Sequence, residues 1–185
     1  MFQKADVIFA FFGFNESFKG KEGLPQFEAD LLEFVKGTLS QKYNGKSAPR
    51  LVLVSPIAHE DLKNPHLSDG TKNNANLKLY TQTMKQVAAD FKIPFVNLFT
   101  STRRIMTSSP VPLTFNGVHL SEYGYQQLAP VLMTSLFGKS PQFTAATENI
   151  RAEVIEKDYQ FFHRYRAVNG YYVYGARNRV WNNEA

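Results

Sequence analysis

Residues 7–12 read Val-Ile-Phe-Ala-Phe-Phe and end at Gly13. An apolar run without alternation, bounded by a turn residue, reads as a strand covered on both faces, the pattern of a parallel sheet. The signature returns at residues 51–55 (LVLVS), where Pro56 stops it, and at residues 94–99 (PFVNLF). Between these runs the apolar period changes from strand to helix. Phe27, Leu31, Phe34, Val35 and Leu39 predict a helix over 25–43. Leu77, Tyr80, Met84, Val87, Ala88 and Phe91 predict another over 75–91. Polar stretches at 57–74 and 100–114 read as loops. Ser121 reads as the N-cap of a helix reaching residue 137, in which Pro130 should kink or break a turn.

The resulting order, β-α-β-α-β-α, calls for a parallel sheet with right-handed crossovers. Beyond it, Ile150, Val154, Phe161, Phe162 and Tyr165 predict one more helix over 142–166. Residues 170–175 (GYYVYG) read as an aromatic, extended tail. The expected organisation is an α/β domain over 1–140, with the helix and tail of 141–185 packed on the same domain. A strand as apolar as 7–12 demands neighbours on both edges, and three strands leave one edge open. The sheet therefore reads as incomplete on its N-terminal side, with self-association through that edge as the expected consequence.

Composition narrows the function. The chain has no cysteine among its 185 residues, which rules out a thiolate metal site, a disulfide framework and a cysteine nucleophile. Its net charge of +5 is modest and its basic residues are scattered, so no nucleic-acid stripe emerges. No run approaches the ~20 apolar residues that span a bilayer. Residues 1–14 do not read as a signal peptide, because Asp6 interrupts a short apolar run. The sequence reads as soluble, and the compartment is left open.

In parallel α/β sheets ligands bind beyond the carboxyl ends of the strands. Three polar clusters fall on that rim: Gly13-Phe14-Asn15-Glu16 after the first strand, His59-Glu60-Asp61 after the second, and Asn116-Gly117-Val118-His119 before the last core helix. Imidazole is the preferred general base at neutral pH, and His119 is the candidate for that role. Asn116, three residues earlier, can curl back to its far ring nitrogen and orient it, without adding charge. Asn15 can donate its amide to a developing oxyanion, with Gly13 allowing close backbone approach. The plainer reading of Asn15 is a turn residue. His59 and Glu60 suit a substrate pocket or simply a surface loop; with His66 and Asp69 they lack the tight spacing of a metal site. Ser17 lacks a Gly-x-Ser-x-Gly elbow and reads as a helix-start cap rather than a nucleophile.

Residues 13–16 after a strand resemble the Gly-x-Asn-Asp block of SGNH hydrolases, the GDSL esterase/lipase family. Residues 116–125 (NGVHLSEYGY) resemble that family's Asp-x-x-His block with its downstream Gly-Tyr. The resemblance covers roughly residues 6–137. It implies a flavodoxin-like three-layer α/β/α fold and ester hydrolysis, with acylated carbohydrates or small acyl esters as substrates and no metal or cofactor. His119 is then the general base, Asn116 stands in the triad Asp position, and Asn15 binds the oxyanion. The departures are specific. The family's Gly-Asp-Ser block has no matching position, so no nucleophile is found, and Glu16 stands where Asp is usual.

Two readings follow: an esterase that is truncated or inactive as written, and a non-catalytic module that binds acylated carbohydrate or a protein partner. The second is motivated by Asn116 and by Tyr165, Tyr171, Tyr172 and Tyr174, whose rings suit sugars. A nucleotide-binding domain needs a glycine-rich phosphate loop, and residues 13–15 are not one.

Overall fold

The computed structural model describes residues 4–139, 142 and 144–165. The chain forms two compact units, Met1–Ser140 and Pro141–Ala185. In the first, β1 (Val7–Phe11) leads through a 3-10 segment (Glu16–Gly23) into α1 (Leu24–Ser40). Next come β2 (Arg50–Val54), α2 (Thr71–Asp90), β3 (Phe95–Val96), α3 (Leu98–Ser108) and α4 (Glu122–Phe137). The sheet is parallel, in the order β1-β2-β3, with Phe9 opposite Val52 and Val54 opposite Val96.

Alternate residues of β2 face opposite helix layers. Leu51 and Leu53 join Ala10, Phe27, Leu31, Val35, Tyr80, Met84 and Val87 beneath α1 and α2. Val52 and Val54 join Val96, Leu98 and Leu128 beneath α4. Each fully buried aliphatic side chain here contributes roughly 1.5–3 kcal/mol. The parallel sheet is the one the strand and helix order called for, and the helices on its two faces give the three-layer α/β/α arrangement that the resemblance implied.

Three expectations need correction. β1 is not covered on both faces: Ala10 is buried, but Val7, Phe9 and Phe11 are 37%, 47% and 58% exposed. Among the described residues β1 pairs only with β2. The third strand is two residues long, and residues 100–108 are helix rather than loop. The Asn97 side chain accepts the Thr100 N–H and starts α3, while Thr102 and Thr107 return their hydroxyls to the carbonyls four residues back. Pro130 lies inside α4 as expected, where it removes one backbone hydrogen bond. The other boundaries shift by a few residues, and the 3-10 segment was not expected.

In the second unit, α5 (Ala145–Tyr165) has no buried residue; Ile150, Val154, Phe161, Phe162 and Tyr165 are exposed. Tyr171, Tyr172 and Tyr174 lie outside the described residues. Among the described residues no helix is long and apolar enough to cross a membrane.

Candidate active site

The loop before α4 is held by its own backbone. Phe115 N–H donates to the His119 carbonyl (3.1 Å), and Thr114 bridges Leu120 in antiparallel fashion. Ser121 caps α4 by accepting the Gly124 N–H at 3.1 Å, as its sequence position predicts, and donates its hydroxyl to the Leu113 carbonyl. His119 is thereby fixed just ahead of a helix and remains exposed, its ring stacked on that of Phe115 at 5.7 Å.

Asn116 does curl back to this ring. Its Oδ1 accepts the backbone N–H groups of His119 (2.9 Å) and Val118 (3.2 Å). Nδ1 of His119 lies 3.1 Å from that oxygen and 2.9 Å from Nδ2 of the same amide. Two tautomers are therefore served. When Nδ1–H donates to Oδ1, Nε2 keeps its lone pair and can take a proton. When Nδ2–H donates to Nδ1, Nε2 carries the hydrogen and cannot. A carboxylate at this position would serve only the first.

Around the rim, Asn15 is exposed and makes no side-chain cap hydrogen bond to the helical turn that follows. Gly13 is buried, has φ +98°, and donates its N–H to Glu16 Oε2 at 2.9 Å. Glu16 thus occupies the Gly13 amide. A Cβ on Gly13 would lie 3.3 Å from both Met84 and Pro56, which explains the glycine. Ser17 is buried and donates to the Phe14 carbonyl at 2.6 Å from within the first turn, not from a cap position.

His59 and Glu60 lie in a loop but are not surface residues. His59 is 8% and Glu60 7% exposed. Glu60 Oε1 accepts Leu113 N–H (2.9 Å), and its Oε2 accepts both Thr114 N–H (2.7 Å) and Thr114 Oγ1–H (2.6 Å). Its own N–H donates to the Gly117 carbonyl at 2.8 Å. The His59 backbone makes a reciprocal pair with the Asn74 side chain, and its Nδ1 meets the Asn73 amide at 2.9 Å. Gly70 and Gly117, both with positive φ, make room for the imidazole: a Cβ on Gly117 would stand 2.7 Å from Nε2.

Asp61 turns outward to Lys63 (2.6 Å). That hydrogen bond lowers the Asp61 carboxyl from its ordinary range and raises the Lys63 ammonium. An exposed pair of this kind adds little stability. Among the described residues no three acidic or imidazole side chains gather to hold a metal.

The rim is therefore linked by contact. Gly13 abuts Pro56, Phe14 packs near Ala58, and His59 and Glu60 seat the loop that carries His119. The sequence pointed to the three loops and to the Asn116–His119 pair. It did not reveal Thr114, Phe115 or the Glu60 clamp; the paired glycines at 70 and 117 were the available signal.

No family model matches the chain, and no curated protein matches it. Solved structures do. An acetylxylan esterase from Geobacillus stearothermophilus aligns with a TM-score of 0.55 at 20% identity, over 73% of this chain and 61% of the esterase. A single-residue variant of that enzyme gives 0.57 at 19%, over 76% and 64%. An alpha/beta hydrolase enzyme from the metagenome of Lake Arreo, Spain, gives 0.53 at 19%, over 71% and 60%. The chain carries the α/β fold of these hydrolases. It spans less than two thirds of the length of each. Catalytic mutants of the Geobacillus enzyme replace a serine near its start, an aspartate, and a histidine three positions after that aspartate.

Proposed function

We propose that this chain carries the base and oxyanion side of an SGNH-type site that hydrolyses esters of carbohydrates or small alcohols. The observation that carries the reading is the Asn116–His119 turn, with Nδ1 3.1 Å from Oδ1. The same three-residue offset separates the aspartate and histidine replaced in the catalytic mutants of the esterase neighbour. In this mechanism a serine hydroxyl attacks the ester carbonyl and passes its proton to Nε2 of His119. Asn15 donates to the oxyanion of the tetrahedral intermediate. The imidazolium then protonates the leaving alcohol, and water, activated by the same base, releases the acid.

The serine belongs to a segment that this reading seats against β1. The open apolar face of Val7, Phe9 and Phe11 supports that placement, as does the family's nucleophile block. His59 and Glu60 frame the base rather than touch substrate. The test is to express the chain with its upstream coding sequence and assay a chromogenic acetyl ester. His119→Ala should lower turnover on the order of 10⁴-fold or more. Unchanged turnover would remove His119 from the mechanism.

A second reading, an acyl-carbohydrate-binding module without hydrolysis, draws support from the 2.9 Å contact of Asn116 Nδ2 with His119. That contact accommodates the tautomer unable to act as base. Calorimetric binding of an acetylated xylo-oligosaccharide without acetate release would favour it over the first.

A further inference from the structure

α2 and α3 enclose a groove of about 450 Å³, of a size that holds a small organic ligand. Lys78, Lys85, Arg103 and Arg104 line it, and no aspartate or glutamate does. None of the four makes an ion pair among the described residues. Like charges gathered in a concavity repel one another, and a bound anion would relieve that repulsion.

Scattered surface lysines would be unremarkable, but Thr81 sets this groove apart. It lines the same wall, is only 4% exposed, and its hydroxyl has no hydrogen-bond partner. Helical threonines commonly return the hydroxyl to the preceding turn, as Thr102 and Thr107 do here. A buried orphan hydroxyl in a polar concavity calls for a partner from outside the chain. Asn97, also on the wall, uses Oδ1 to accept Thr100 N–H (2.9 Å), which leaves Nδ2 as a donor. The first turn of α3 adds its partial positive charge there.

The wall thus presents two ammoniums, two guanidiniums and an amide as donors, and buries an unpartnered hydroxyl. We infer that the α2–α3 groove binds a multivalent oxyanion, a phosphate or sulfate group, free or as the ester of a small polar molecule. Such a group has acceptor oxygens on several sides and can meet cations from both helices at once. The inference is independent of the ester chemistry proposed above, since no residue of the rim loops is used.

The full chain is titrated by ¹⁵N NMR and calorimetry with inorganic phosphate, glucose 6-phosphate and glucose. Saturable shifts at the amides of Thr81 and Arg103 are expected with both phosphates and not with glucose, and they should weaken as salt rises. Tighter binding of glucose 6-phosphate assigns the site to an ester; equal binding assigns it to the free anion. Arg103→Ala should weaken binding about tenfold or more. Thr81→Val should also weaken it while Tm holds or rises, which separates loss of the ligand from loss of the fold. No saturable binding of either phosphate overturns the inference. So does binding that survives unchanged in Arg103→Ala, or binding of duplex DNA where neither small phosphate binds.

Discussion

One oxygen of Glu60 accepts two hydrogen bonds from Thr114, from the backbone N–H at 2.7 Å and from the hydroxyl at 2.6 Å. Thr114 Oγ1 in turn accepts the Gly117 N–H at 3.0 Å, so the carboxylate reaches the His119 turn through one side chain. A carboxylate offers only acceptors, and all three groups facing it are donors. Glu60→Gln puts an NH₂ against at least one of them. The substitution should cost about 1–3 kcal/mol in urea unfolding. It should also move the ¹H–¹⁵N resonances of Gly117, whose carbonyl accepts the Glu60 N–H, and of His119. A spectrum altered only at residues 60, 113 and 114 would mean that the clamp does not reach the base.

The Asn116 amide presents oxygen and nitrogen to the same ring nitrogen, 3.1 and 2.9 Å away. Asn116→Asp keeps the acceptor for the Val118 and His119 amides and leaves Nδ1–H as the one compatible ring state. With the serine-bearing segment supplied, ester turnover should rise, by up to about 10⁴-fold, the loss a serine triad suffers on the reverse change. Long-range ¹⁵N couplings of the imidazole report the tautomer directly. If they show a single Nδ1–H form already with Asn116, the tautomer argument is wrong.

Local patterns carried the sequence reading as far as they reach. Continuous apolar runs at Val7 and Leu51 announced strands, of which only the second is buried, and Ser121 announced a helix start, because each signal lies within a few residues of its effect. The resemblance at residues 13–16 and 116–119 singled out two loops, each of which meets the segment 56–60. The run at 94–99 misled because Leu98 and Phe99 are buried as helix, behind an Asn97 cap that reads equally well as a turn. The serines and threonines of α3 read as loop because their hydroxyl bonds to the preceding turn leave no mark on hydrophobic period. The burial of Glu60 was illegible for another reason. Its partners lie more than fifty positions away, and nothing in a His-Glu-Asp triplet shows which member turns inward.

Tyr80 is fully buried against Phe27 and donates to the Gly20 carbonyl at 2.9 Å. Burial, and then the Glu16 carboxylate, raise its phenol above the ordinary tyrosine value. The neutral phenol is thus favoured in the folded chain. Its contribution is complete below the unfolded value of about 10 and is lost as pH rises through the folded one. Tm measured from pH 9 upward should fall more steeply in the native chain than in Tyr80→Phe. At pH 7 the variant should be about 1 kcal/mol less stable, through the hydrogen bond it lacks. Parallel Tm curves would show that Tyr80 does not titrate with unfolding.

β1 turns Val7, Phe9 and Phe11 outward on the face where its neighbour β2 is covered, since Phe9 and Phe11 stand opposite the buried Val52 and Val54. An apolar face beside an unpaired strand edge templates association. Residues 1–185 alone should therefore self-associate, with a sedimentation coefficient that rises across the micromolar range. Phe9→Lys places a charge on the open face without touching the Leu51–Leu53 side of the sheet, and should return the chain towards monomer with little loss of Tm. Sedimentation independent of concentration in the native chain would show that this face does not drive association.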